Sequence, residues 1–156
     1  MIFLEQHCPC KSMKRYEDCC LPILNDEKPA LNCEQLMRSR YTAYCVNNFE
    51  YIVNTYSLRA RNEQNISVDF IKHQAASTKW LHLNVVNSHE TSVEFKAFYQ
   101  DGRAIYCLHE LSYFVQENGK WRYDNGDLLG TTGKLKTGRN EACFCDSGKK
   151  FKHCCM

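Results

Sequence analysis

The spacing Cys-x-Cys, eight residues, Cys-Cys occurs twice in this chain, once near each end. The first copy is Cys8-Pro9-Cys10 with Cys19-Cys20, and the second is Cys143-Phe144-Cys145 with Cys154-Cys155. The residues between the cysteine pairs also correspond. Ser12 answers Ser147, Lys14 answers Lys149, Arg15 answers Lys150 and Tyr16 answers Phe151. Self-similarity of this kind marks one small structural unit used twice. It absorbs eight of the 11 cysteines and leaves Cys33, Cys45 and Cys107 scattered.

Three chemistries compete for the clusters. Structural disulfides need an oxidising compartment, and Met1 to His7 carries Glu5 and no apolar stretch long enough for a secretory signal. Adjacent cysteines also pair poorly, because the usual disulfide needs a Cα separation that neighbours reach only with strain. Redox catalysis favours C-x-x-C at a helix start beside a βαβ pattern, and neither is present in the sequence. Four thiolates within about a dozen residues fit tetrahedral zinc, a short turn bringing two ligand pairs together. An iron–sulfur cluster, also held by four cysteines, is the next metal, with disulfides or free thiols behind it. The expectation is two Zn²⁺ sites, on Cys8, Cys10, Cys19 and Cys20 and on Cys143, Cys145, Cys154 and Cys155. His7 and His153 border these residues, but the repeat favours cysteine. Gly148 can take φ > 0 freely, whereas Met13 holds the same place in the first copy and would be strained there. Weaker zinc retention at the N-terminal site is the consequence expected from sequence.

The 156 residues suffice for one ordinary domain with small appendages. Hydrophobic residues at 44% with only 3 prolines and 7 glycines exclude collagen-like, coiled-coil and mostly disordered chains. No apolar run approaches the ~20 residues that span a bilayer. A cytoplasmic protein without membrane association is expected. The net charge of +2 is too small to suggest DNA. Each four-thiolate site with its Zn²⁺ carries two negative charges, so two sites would turn that +2 into −2.

Between the clusters, helical signals come first. Asn32 is a candidate N-cap with Gln35 as its capping-box partner, opening a helix to about Val46. A short helix is expected over Phe49 to Tyr56, and Ser67 caps a third over Val68 to Ala76. After Lys79 the period changes to two. Strands are expected over Trp80 to Val86, over Val93 to Gln100, and from Ile105 to Val115. Asp101-Gly102 and Asn118-Gly119 supply the turns, the second leading to Trp121-Arg122-Tyr123. Helices followed by an antiparallel meander make an α+β fold, with a long curved sheet wrapped around helices and enclosing a hollow.

The second cluster, Cys143-Phe144-Cys145-Asp146-Ser147-Gly148-Lys149-Lys150-Phe151-Lys152-His153-Cys154-Cys155, resembles the SEC-C motif, whose usual form is C-P-C-G-S-G-K-K-Y/F-K-x-C-C/H. Here Phe144 stands for the proline and Asp146 for the first glycine; in the first copy Lys11 and Met13 replace both glycines. In the tail of the SecA translocase motor, the resemblance implies a zinc-held hairpin that contacts the chaperone SecB and the ribosome. The stretches Leu36 to Tyr44, Tyr51 to Tyr56, Thr78 to Leu81 and Gly119 to Asp124 are similar to the YchJ family. That resemblance implies a nuclear-transport-factor-two-like cone with SEC-C motifs at one or both ends. It divides the chain into an N-terminal motif over 1–24, a middle domain over 30–130 and a C-terminal motif over 136–156. Where the family often has His-Pro-Ser after the second helix, this chain has Ser57-Leu58-Arg59.

For catalysis or ligand binding in the hollow, the candidates are Arg38, Arg40, Tyr41, His109 and Glu110. Arg38 and Arg40 stand two apart on a helix and cannot both face the core. One is expected to pair with a strand carboxylate such as Glu110, the other to be solvated. His109 shares a strand face with Cys107 and Leu111 and reads as a hydrogen-bonded core histidine. The three scattered cysteines read as small buried hydrophobes. No Ser/His/Asp set, phosphate loop or HExxH appears, so the enzyme reading is weak. Binding is better supported. From Lys134 onward six cations face Glu141 and Asp146 over 23 residues, Lys149, Lys150 and Lys152 among them. Such a patch suits an acidic protein surface or ribosomal RNA. A zinc-dependent adaptor is therefore expected, contacting a protein or ribosomal partner. The alternative is a small-molecule binder or enzyme using the hollow. Pairing of two cones into a homodimer stays open.

Overall fold

A computed structural model describes residues 6–156. Helix α1 (Leu21–Leu24) follows the first cysteine cluster, and α2 (Cys33–Cys45) begins where Asn32 accepts the Gln35 amide at 2.9 Å. The Gln35 side chain reaches back one residue beyond the cap, to the Leu31 amide. Asn48 caps α3 (Phe49–Asn54), which stops short of Tyr56 because Tyr56 instead bridges to Tyr123. Ser67 caps α5 (Val68–Ala75).

Helix α4 (Leu58–Gln64) has no counterpart in the sequence expectation. Ser57 caps it by accepting the Ala60 amide, and Asn65 ends it with φ 52° in the left-handed region. Only Ala60 of the helix is buried. Without an apolar stripe there is no period for the sequence to reveal.

Four antiparallel strands follow in order: β1 (Thr78–Ser88), β2 (Ser92–Asp101), β3 (Ala104–Glu117) and β4 (Lys120–Leu128). Strand β5 (Gly133–Lys134) pairs with β3 at Tyr106 and Cys107, beyond the point where β4 leaves it. Register shifts fall between Trp80 and His82, between Val85 and Asn87, and between Tyr113 and Phe114. Such bulges bend a strand and tighten its twist, which curls this sheet into an open cone. They also break strict alternation in β1.

Leu36, Met37 and Tyr41 of α2 join one buried cluster with Leu83, Val93, Phe95, Ala97 and Phe114 on the concave face. Full burial of a side chain such as Leu36 or Ile52 contributes about 1.5–3 kcal/mol. Cys8, Cys10, Cys20 and Tyr16 belong to the same cluster, so the N-terminal motif is part of the main core and not an appendage. A second cluster of Ala43, Ile52, Ile66 and Ile71 joins α2, α3 and α5. No helix among the described residues is long and apolar enough to cross a membrane.

Candidate metal centres

The two cysteine motifs fold alike, bond for bond. In the first, the Cys8 amide donates to the Lys14 carbonyl at 2.8 Å; in the second, the Cys143 amide donates to Lys149 at 2.9 Å. Each hairpin then enters a single 3₁₀ turn, Tyr16–Asp18 and Phe151–His153, whose aromatic residue is buried. Each turn ends on a cysteine amide bonded to that aromatic's carbonyl. Ser12 Oγ lies 3.2 Å from Cys19 Sγ, and Ser147 Oγ lies 3.2 Å from Cys154 Sγ. A C-x-C pair on the hairpin and a C-C pair after the turn therefore point at one place.

In each motif four sulfurs lie within 4.8 Å of one another. Cys10 and Cys19 are 3.7 Å apart and Cys19 and Cys20 3.9 Å; Cys145 and Cys154 are 3.3 Å apart and Cys154 and Cys155 3.8 Å. A tetrahedron with metal–sulfur bonds of about 2.3 Å has edges of about 3.8 Å. Both tetrads thus fit a tetrahedral metal ion and could hold one. Their titration agrees. Hydrogen bonds from Cys20 and Cys8 hold the Cys10 thiol far below the ordinary range, while Cys10, Cys19 and Cys8 together push Cys20 far above it. At the other end burial works to raise Cys145, but hydrogen bonds from Ser147 and Cys154 outweigh it and bring the thiol to about 7. Sulfurs this close cannot all ionise unless a cation sits among them. His7 and His153 are exposed beside the tetrads and belong to neither.

The motifs differ in their surroundings. Cys8, Cys10 and Cys20 are at most 1% exposed, packed against α2, where Cys8 Sγ stands 3.8 Å from the Thr42 hydroxyl. Arg38 donates from Nη1 to the Cys10 carbonyl at 2.7 Å and holds Glu34 with Nε and Nη2. The C-terminal motif is more open: Cys143 is buried, Cys145 and Cys155 are half-buried and Cys154 is exposed. Phe144, in the place of the usual proline, anchors it by stacking on Phe98 of β2 at 4.5 Å between ring centres. The left-handed backbone expected at Met13 is present, with φ 69° against 79° at Gly148. Lys11 and Asp146 share that conformation at 63° and 59°. Strain is therefore greater in the first copy, but burial opposes the weak retention expected from it.

The remaining candidates separate. Arg40, Tyr41 and Glu110 line a 190 Å³ hollow between α2 and the concave face, partly open to solvent. Arg38 faces the N-terminal motif instead. It is half-buried and pairs with Glu34 of its own helix, not with a strand carboxylate. His109 lies on the opposite face of the sheet, bonded through Nε2 to Glu94 at 2.8 Å and through Nδ1 to the Thr131 hydroxyl. The structure thus removes Arg38 and His109 from the hollow. Arg40 does not form the expected ion pair with Glu110. Its Nη1 donates to the Ile52 carbonyl and the Thr55 hydroxyl, and its guanidinium stacks on Tyr56 and Tyr123. Lys149 and Lys150 are exposed and Lys152 half-buried, and none of the three makes an ion pair among the described residues.

Sequence reasoning missed three contacts. Arg38 as a clamp on the first motif lies 28 positions from Cys10, and no local pattern links them. Ser57 and Arg59 both bond Asp124 of β4 and fasten α4 to the sheet. Their partner lies far along the chain, so no local pattern links them.

Comparison with known proteins agrees with this architecture. The model described as "YchJ, middle NTF2-like domain" matches residues 32–126, and that of the SEC-C motif matches residues 139–156. A UPF0225 protein of Shewanella sp. (strain MR-4) is 38% identical over 97% of each chain. A UPF0225 protein of Vibrio parahaemolyticus is also 38% identical, over 95% of this chain and 97% of its own. The solution structure of a SEC-C motif containing protein from Rhodopseudomonas palustris has a TM-score of 0.73 at 32% identity, covering 80% of this chain and all of that one. The crystal structure of a SEC-C motif containing protein from Psychrobacter arcticus has a TM-score of 0.64 at 31% identity, covering 99% and 98%. With its NTF2-like cone and a cysteine motif at each end, the chain belongs to the YchJ (UPF0225) family.

Proposed function

We propose that this protein is a zinc-binding adaptor whose C-terminal motif presents cations to an acidic partner, protein or ribosomal. The observation that carries the reading is the C-terminal tetrad, open at Cys154 and flanked by the exposed Lys149 and Lys150, on a hairpin held to the sheet by Phe144. All-sulfur tetrahedral donors select zinc or iron–sulfur chemistry, and four sulfurs all within 4.8 Å of one another suit a single ion. The Zn²⁺ would fix the turn and so the spacing of the lysines. With a −2 metal site, the six cations beyond β4 still exceed the local negative charge by two. Fixing charged side chains on a rigid scaffold lowers the entropy cost of association and sets its salt dependence.

Two measurements on the full chain test this. Metal analysis with thiol counting should give two zinc ions per chain and three titratable thiols. Binding to purified ribosomes and to polyglutamate should weaken steeply with salt, and should be lost when Lys149, Lys150 and Lys152 are all changed to Glu. Iron in place of zinc, or binding indifferent to those three changes, would sink the reading.

A further inference from the structure

The metal motifs leave the hollow unused, and its polar groups are built with more care than a filler core needs. Glu110 enters from β3 among aromatic walls. Its carboxylate accepts from the Ser112 hydroxyl and from the Tyr123 hydroxyl, which lies 3.3 Å from both oxygens. Gly126 on β4 makes room for it, since a Cβ there would stand 2.6 Å from Glu110 Cδ. Across the hollow the Arg40 guanidinium is fixed by two acceptors on Nη1 and by the faces of Tyr56 and Tyr123, 4.4 and 4.8 Å from the ring centres. Its Nε and Nη2 make no hydrogen bond to the described residues. Burying a carboxylate and a guanidinium costs several kcal/mol apiece unless each is paired. Yet these two form no ion pair within 4.0 Å and touch only through Tyr123, whose ring lies under one and whose hydroxyl bonds the other. The hollow thus offers a fixed acceptor and a free donor edge, joined through Tyr123.

We infer that the hollow is a binding site for a small, uncharged, planar heteroaromatic molecule with a neighbouring N–H donor and C=O acceptor, a nucleobase-sized lactam. Three features set that class. Among the described residues, Arg40 and Glu110 are the only formally charged side chains lining the hollow; their formal charges cancel, and a net ion would meet one like charge at low dielectric. Its walls include Tyr41, Tyr44, Trp80, Phe95 and Phe114, which favour a flat ring by stacking and edge contacts. Its 190 Å³ accommodates one or two fused rings. The ligand N–H would donate to Glu110, and the ligand carbonyl would accept from Arg40. This site does not depend on the adaptor reading.

The test uses the zinc-loaded full chain carrying Trp121→Phe, so that Trp80 is the sole indole. Hypoxanthine is titrated against Trp80 emission, with benzoate and benzylamine as an anion and a cation of similar size. Saturation-transfer NMR on each mixture gives a second readout. Hypoxanthine should bind more tightly than either ion, and Glu110→Ala should weaken it tenfold or more. If Glu110→Ala does not fold, the isosteric Glu110→Gln decides, with a loss of several-fold expected. Tighter binding of benzoate or benzylamine, binding of none of the three, or unchanged affinity in the folded Glu110 variant would overturn the assignment. None of these outcomes touches the lysines of the C-terminal motif, so failure here and failure of the adaptor reading are separable.

Discussion

Glu110 shows how one residue can stand against stability. Burial pushes its carboxyl pKa up, and Asp127 adds to that; Ser112, Tyr123 and Arg40 pull it back without cancelling it. A folded-state pKa above the unfolded one gives a contribution that is complete below the unfolded value of about 4.3. It is lost as pH rises through the folded value. Ionising Glu110 therefore costs the native protein stability as pH rises. Glu110→Gln should raise the urea midpoint at pH 7 and have a smaller effect at pH 4. An equal shift at both pH values would show that ionisation is not the cause. Glu110 was legible as a candidate because a carboxylate in an alternating strand stands out. The bond from Tyr123 and the room left by Gly126 are not legible, since both come from β4 through its register with β3.

At the scale of elements, the two motifs share one backbone pattern and one donor set in different environments. The sequence correctly places a side chain in the left-handed backbone at Met13, which costs about 1–2 kcal/mol relative to glycine. It cannot show that the surrounding hairpin is sealed against α2 and tied there by Arg38. A hydrogen bond to a charged donor contributes about 1.5–3 kcal/mol, enough to offset the strain. A chelator must also reach the metal, and in the second motif the exposed Cys154 lets it do so. We therefore expect chelator to withdraw metal from the C-terminal motif first, the reverse of the order expected from sequence. Arg38→Met should speed loss from the N-terminal motif about tenfold or more and leave the other unchanged. Release followed by NMR of residues flanking each tetrad checks both, and N-terminal release first in the native protein would refute the order. The elements themselves were mostly readable: capped helices and alternating strands announce themselves through N-cap side chains and period two. Helix α4 did not, because its one buried residue gives no period.

At the scale of the molecule, the N-terminal cysteines sit in the same buried cluster as Leu36, Phe95 and Phe114, whereas the C-terminal motif meets the sheet through the Phe144–Phe98 stack. Loss of the first metal should then be felt by the whole fold, and loss of the second mainly by its own hairpin. Cys10→Ser should lower the thermal midpoint of the cone by several degrees, while Cys145→Ser should leave it within about 2 °C. Circular dichroism melts of the two variants decide the matter, and equal losses would show that both motifs are equally integral. The sequence by itself determined the cysteine repeat, the thiolate donor sets, the capped helices and the antiparallel meander, because each is written in short spacings along the chain. Tertiary structure alone decided that one motif is buried and the other presented. It decided that Arg38 serves the metal side of α2 and Arg40 the hollow, and that His109 faces away from both. Those outcomes depend on how the bulged sheet curves against α2. Curvature is a sum over many strand contacts, and no local spacing encodes it.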